Sequence, residues 1–204
     1  MSEHNRILVA IDGGEGGRAA IRYAAARRDG SDLWLVHVVD LAVATGVFYP
    51  YGYAGLADEV REAGKTILDR AEKLAAELVG ADHVTTTLLD GGVVAELVHA
   101  AADAWMVVLG DERRHGLSRL VTGSVTGRVA SRAPVPVVVV PTVWSPGQDA
   151  HRVVVGIADL DASAELVAHA VGEAADRGGE LVLVHAWELP AVFYDTTLEH
   201  DQAA

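Results

Sequence analysis

The chain contains no cysteine. Disulfides, thiolate metal sites and cysteine nucleophiles are thereby excluded, and a reducing compartment is the natural setting, so a cytoplasmic location is expected. Basic side chains are few: Lys and Arg total 16 against 29 Asp and Glu, a net charge of −13. That surplus repels phosphodiester backbones and removes DNA and RNA from the expected partners. Long apolar runs are missing too. The stretch Pro134 to Pro141 is typical of the longest, far short of the ~20 residues of a membrane helix, so no membrane partner is expected. The opening residues, Met-Ser-Glu-His-Asn-Arg, show no basic segment followed by an apolar one, and no signal peptide is read there. Proline numbers only 6, half of the 204 residues are apolar and 22% are charged, which rules out disorder and collagen-like repeats.

Strand and helix signals alternate along the chain. Arg6 to Ile11 is a continuous run rich in branched residues, the pattern of a strand buried on both faces. A Gly-rich loop leads to an Ala-rich helix over Arg18 to Arg28, then to a second buried strand, Leu33 to Val39. An aromatic loop (Phe48, Tyr49, Tyr51, Tyr53) precedes a long amphipathic helix, Leu56 to Val79. Strand three is His83 to Leu89. A helix runs from Gly91-Gly92 to about Asp103, and strand four is Trp105 to Leu109. A loop rich in arginine and glycine opens a helix near Ser124, and strand five is Val137 to Val140. Repeated β-α units predict an α/β fold: an open five-stranded parallel sheet with helices on both faces.

The sequence repeats itself. Arg152 to Ile157 aligns with Arg6 to Ile11, and Leu181 to His185 with Leu33 to His37. A second copy, strand-helix-strand, therefore starts near residue 151 after a linker over 143–150, and strands three to five have no counterpart in it. The expected division is a domain over 1–142 and an incomplete second copy over 151–204. Two parallel strands and one helix make a poor core alone, so this piece packs on the first domain, completes a sheet in another chain, or is a truncation. Its charge is lopsided as well: residues 141–204 hold two basic against eleven acidic side chains. The arginines concentrate instead between 111 and 132, at 113, 114, 119, 128 and 132.

Two places could carry chemistry. Gly14 to Ala19 matches G-x-G-x-x-A, with Asp40 as a ribose ligand, the pattern of a dinucleotide site. Asp12 and Glu15 would repel a pyrophosphate there, so a plain strand-to-helix turn is the stronger reading. The second place is Gly110 to Val125, between the end of strand four and the start of a helix, where backbone N–H groups can receive phosphate. Ser124 could cap that helix, with Arg113 and Arg114 as counter-charge, although no G-K-[ST] is present. An ordinary surface loop is an equal alternative on these residues alone. No G-x-S-x-G or H-E-x-x-H occurs, so neither catalysis nor a metal is expected. His37 and His185, at matching strand positions, read as a repeated, buried and hydrogen-bonded packing element.

The pieces Ile7 to Gly13, Leu35 to Asp40, Gly110 through Gly123-Ser124-Val125, and Arg132 to Val140 together resemble the universal stress protein family. The resemblance covers residues 6–141, and the repeat extends it over 152–194. It implies a five-stranded parallel fold, a homodimer, and an adenine nucleotide (ATP or AMP, with Mg2+ accompanying it) as ligand. Carried over position by position, Asp12 with the backbone of Ala10, Ile11 and Val38 would hold adenine and ribose. Leu109, Gly110, Gly123, Ser124 and Val125 would line ribose and phosphates. The family's loop reads G-x2-G-x9-G-[ST], and here its middle glycine is Arg113, which either blocks the phosphate cradle or clamps the phosphates itself. In the second copy Ala158 stands at the place of Asp12, so one site per chain is expected. Two functions follow: a nucleotide-regulated stress protein with little or no turnover, or a nucleotide-free dimerisation module acting through its sheet edge and acidic half-repeat. An adenylate-forming enzyme is a distant third, because the H-x-G-H and S-G-G-x-D-S signatures are missing.

Overall fold

The computed structural model describes residues 5–41, 55–111, 125–147, 151–157, 159 and 163–185. The chain divides into two units, Met1–Gly147 and Gln148–Ala204. In the first, β1 (Arg6–Ala10), β2 (Asp32–Val39), β3 (Val84–Asp90), β4 (Met106–Asp111) and β5 (Val137–Pro141) form one parallel sheet in the order β3-β2-β1-β4-β5. The helices are α1 (Glu15–Arg27), α2 (Leu56–Val79), α3 (Val93–Ala101) and α4 (Val125–Ala130). The α/β architecture expected from the sequence is thus present, with the strands in those places to within a residue or two.

Each face of the sheet carries its own core. Ile7, Val9, Leu33, Leu35 and Val108 pack against Ala20, Ala24 of α1 and Leu68, Ala71, Ala75 of α2. Their alternates Leu8, Val36, Val38, Val107 and Leu109 pack against Val94, Leu97, Ala101 of α3 and Val129 of α4. Burial on both faces is why β1 and β2 read as unbroken apolar runs rather than alternating ones. Trp34 of β2 and Trp105, just before β4, keep their polar ends satisfied: Trp34 donates to Thr87 Oγ1 at 2.8 Å, and Trp105 to Ser31 Oγ at 3.0 Å.

Two close approaches between helix and sheet in the first unit are made at glycines. Gly64 lies inside α2, where a Cβ would stand 2.8 Å from Leu88 Cδ1 and 3.0 Å from Val39 Cγ2; the helix is seated directly on the sheet there. Gly110 is tighter still, since a Cβ on it would fall on the backbone of Gly16. The sequence predicts a start of α1 at Arg18, but the helix starts at Glu15 and takes in Gly16 and Gly17, and its first turn lies against the end of β4 where Gly110 has no side chain.

The second unit is β6 (Arg152–Gly156), α5 (Ala164–Asp176) and β7 (Glu180–Val184), with the strands parallel. Its register reproduces the first unit: Arg152 faces Glu180 as Arg6 faces Asp32, and Gly156 faces Val184 as Ala10 faces Val36. Even the bond beyond the strand recurs, from Ile157 N–H to Val184 O at 2.9 Å and from Ile11 N–H to Val36 O at 2.8 Å. What differs is cover. Val154 is 59% exposed and Val184 44%, where their counterparts Leu8 and Val36 are fully buried. The aromatic residues at 48–53 lie outside the described residues.

Gly110→Ala is expected to lower stability by ~1–3 kcal/mol or more through overpacking against Gly16. Gly172→Ala, in α5 with nothing near its absent Cβ, is expected to raise it by ~0.5–1 kcal/mol. Urea unfolding followed by circular dichroism separates the two signs.

Candidate functional site

The strand order creates the site. From the central β1 the chain winds outward through β2 to β3, then returns to place β4 on the other side of β1. Connections therefore leave β1 and β4 in opposite directions, and a crevice opens at their carboxyl ends. A cleft of about 530 Å³ lies there, within the range of small-ligand pockets.

Residues far apart in sequence meet in it. β1 and its exit supply Ala10, Ile11 and Asp12; β2 supplies Val36, His37 and Val38; β4 supplies Leu109, Gly110 and Asp111. Val93 and Leu97 of α3 form one wall, and Val125 and Thr126 of α4 another. Of the residues singled out from the sequence, Ala10, Ile11, Asp12, Val38, Leu109, Gly110 and Val125 are thus brought together. Arg113, Gly123 and Ser124 lie outside the described residues. The slot is aliphatic at its base, and the two charged side chains among its described lining residues are the carboxylates of Asp12 and Asp111.

Asp12 is exposed at the end of β1. Its Oδ1 accepts the N–H of Gly14 at 2.8 Å. Gly14 is the N-cap of α1 and offers no side chain to the helix, so the carboxylate serves the turn in place of a capping hydroxyl. The same oxygen lies 3.0 Å from where a Cβ on Gly17 would sit. The glycines of the G-x-G-x-x-A stretch are therefore spent on the protein itself: Gly14 on Asp12, Gly16 on Gly110 and Gly17 on Asp12. A pyrophosphate at this helix start would meet a carboxylate and β4, and the plain-turn reading is the one the geometry favours.

Val93, Leu97, His37 and Asp111 were not singled out as site residues. Val93 and Leu97 read only as an i, i+4 apolar pair, and placing them needs the strand order. His37 has the expected hydrogen bond, with Nδ1 2.6 Å from Ile11 O, and His185 repeats it to Ile157 O at 2.9 Å. The expectation of burial is corrected, however. His37 is half-buried beside the cleft, and His185 is exposed because nothing corresponding to α2 covers it among the described residues. No group of three or more metal-ligating side chains occurs among the described residues.

An apolar slot with a carboxylate at its rim can take a flat, weakly polar ring and accept hydrogen bonds from hydroxyl or amino groups attached to it. Asp12→Ala is expected to cost ~0.5–2 kcal/mol, as loss of a helix-capping acceptor does. Asp12→Asn, which retains an acceptor for Gly14, is expected to cost less; thermal melts compare them.

The sequence profile of the universal stress protein family matches residues 3–141 and again 150–203. A universal stress protein of Mycobacterium tuberculosis is 36% identical over 189 residues, covering 89% of this chain and 63% of its own length. The chain thus spans less than two thirds of that relative. Among solved structures, a universal stress protein from Archaeoglobus fulgidus matches 98% of this chain and 74% of its own at 19% identity, with a TM-score of 0.65. A universal stress protein in complex with cAMP matches 69% of this chain and 99% of its own at 22% identity, TM-score 0.51. Both are likenesses of fold.

Proposed function

Since the chain belongs to the universal stress protein family, we propose that its cleft binds an adenine nucleotide, ATP or AMP, as a regulatory ligand in a stress response, with little or no turnover. One observation carries this reading: Asp12 and Val38 from one side of the switch point, and Leu109 and Gly110 from the other, line a single aliphatic cleft. In it the base would lie against Val38, Leu109 and Leu97, while the Asp12 carboxylate would accept from ribose hydroxyls. The phosphates would extend toward Gly123, Ser124 and Val125, away from Asp12 and Asp111, with Arg113 as their clamp. Mg2+ would enter only with the phosphates. In this reading residues 1–142 are the nucleotide-binding domain, 151–204 belong to a second copy with Ala158 at the place of Asp12, and the setting is the cytoplasm. No helix among the described residues is long and apolar enough to cross a membrane.

The protein is further proposed to be a homodimer joined along β5, one of the two outer strands of its sheet. Val138 packs partly against the α1/α2 core, so a charge there would disturb the fold as well as an interface. Val139, 40% exposed, is the cleaner probe. Val139→Asp is expected to halve the mass measured by light scattering, and an unchanged dimer would refute this edge. A second reading, a nucleotide-free interaction module, is favoured by the aliphatic side chains that the second unit leaves exposed.

The two readings part in one experiment. Freshly purified protein is denatured and its released small molecules are separated, with an ATP titration of the native protein alongside. Adenine nucleotide, and a loss of at least about tenfold in affinity on Asp12→Ala, are expected. No release, and no binding up to millimolar ATP, would leave the interaction module standing.

A further inference from the structure

We propose that His37 is a positioning residue for the Asp12 carboxylate, acting through the carbonyl of Ile11. A carbonyl oxygen only accepts, so the 2.6 Å contact to His37 Nδ1 places the ring proton on that nitrogen. The N–H of Ile11 is engaged as well, by Val36 O at 2.8 Å. Both backbone groups of the residue before Asp12 are thereby tied to β2. The ring has little freedom to release its bond. A Cβ on Gly64 would lie only 3.1 Å from His37 Cδ2, so α2 rests on the imidazole. Beyond the clamp, Asp12 Oδ1 reaches Gly14 N–H at 2.8 Å, which fixes the carboxylate from its other side.

The repeat supplies an internal control. His185 makes the same bond to Ile157 at 2.9 Å, and Ile157 N–H is held by Val184 O at 2.9 Å. The residue that follows is Ala158 rather than an aspartate. The clamp is therefore a property of this strand pair, and only in the first unit does it end in a carboxylate beside a cleft.

Two side chains of similar polarity separate this role from a general need for a polar group. The amide nitrogen of asparagine reaches about as far as Nδ1, whereas that of glutamine reaches to the place of Nε2. His37→Asn is expected to keep the Gly14 amide resonance and its protection from hydrogen exchange. His37→Gln is expected to lose about tenfold in that protection, with His185→Gln leaving it unchanged. The consequence for ligand rests on the nucleotide reading: ATP affinity should follow the same order, about tenfold weaker for His37→Gln and preserved in the other two. Should the parent bind no ATP, that reading fails while the Gly14 amide still decides the positioning role. Equal behaviour of the asparagine and glutamine variants at Gly14, or an effect of His185→Gln as large as that of His37→Gln, overturns the inference.

Discussion

Everything at the carboxyl edge of the sheet depends on one contact between two stretches of bare backbone, Gly16 against Gly110. Because Gly110 carries no Cβ, the first turn of α1 can lie on the end of β4. That proximity brings Asp12 to the mouth of the cleft and decides that Gly110 faces α1 as well as the cleft. The hydrophobic layers hold the sheet together, and the bare backbone of Gly110 lets the start of α1 close on it.

The cleft is correspondingly a place where the protein has already satisfied much of its own polarity. Asp12 is engaged with Gly14, His37 with Ile11, and Ile11 with Val36. A ligand entering here meets a prearranged carboxylate rather than one it must order, which limits the entropy lost on binding. The same arrangement makes the start of α1 unsuited to phosphate, so a nucleotide would have to direct its charge toward α4 and the arginine-bearing segment before it.

Much of this was legible in the residues alone. Unbroken branched runs such as Ile7-Leu-Val revealed strands buried on both faces, and the recurrence of Leu-Val-His revealed the second copy. Seven of the ten residues assigned to the site lie in one cleft. What escaped is instructive in kind. The order β3-β2-β1-β4-β5 is not written in an alternation of strands and helices, so nothing marked Val93 and Leu97 as cleft walls. The early start of α1 was hidden because Gly16 and Gly17 are poor helix formers by propensity. His37 looked like packing, which it is, and only its place beside Asp12 gives it a second meaning.

A chain that carries the same strand-helix-strand twice faces a problem of self-recognition while it folds. β4 needs a central strand beside it, and Ile7-Leu-Val and Val153-Val-Val are nearly equivalent templates, so pairing with the wrong copy is the characteristic error of a repeat protein. The two copies part just beyond the strand, where the first reads Asp12-Gly-Gly14 and the second Ala158-Asp-Leu160. The carboxylate that accepts the Gly14 N–H at the start of α1 has no counterpart in the second copy. What tells the copies apart is therefore the turn after the strand, and not the strand itself.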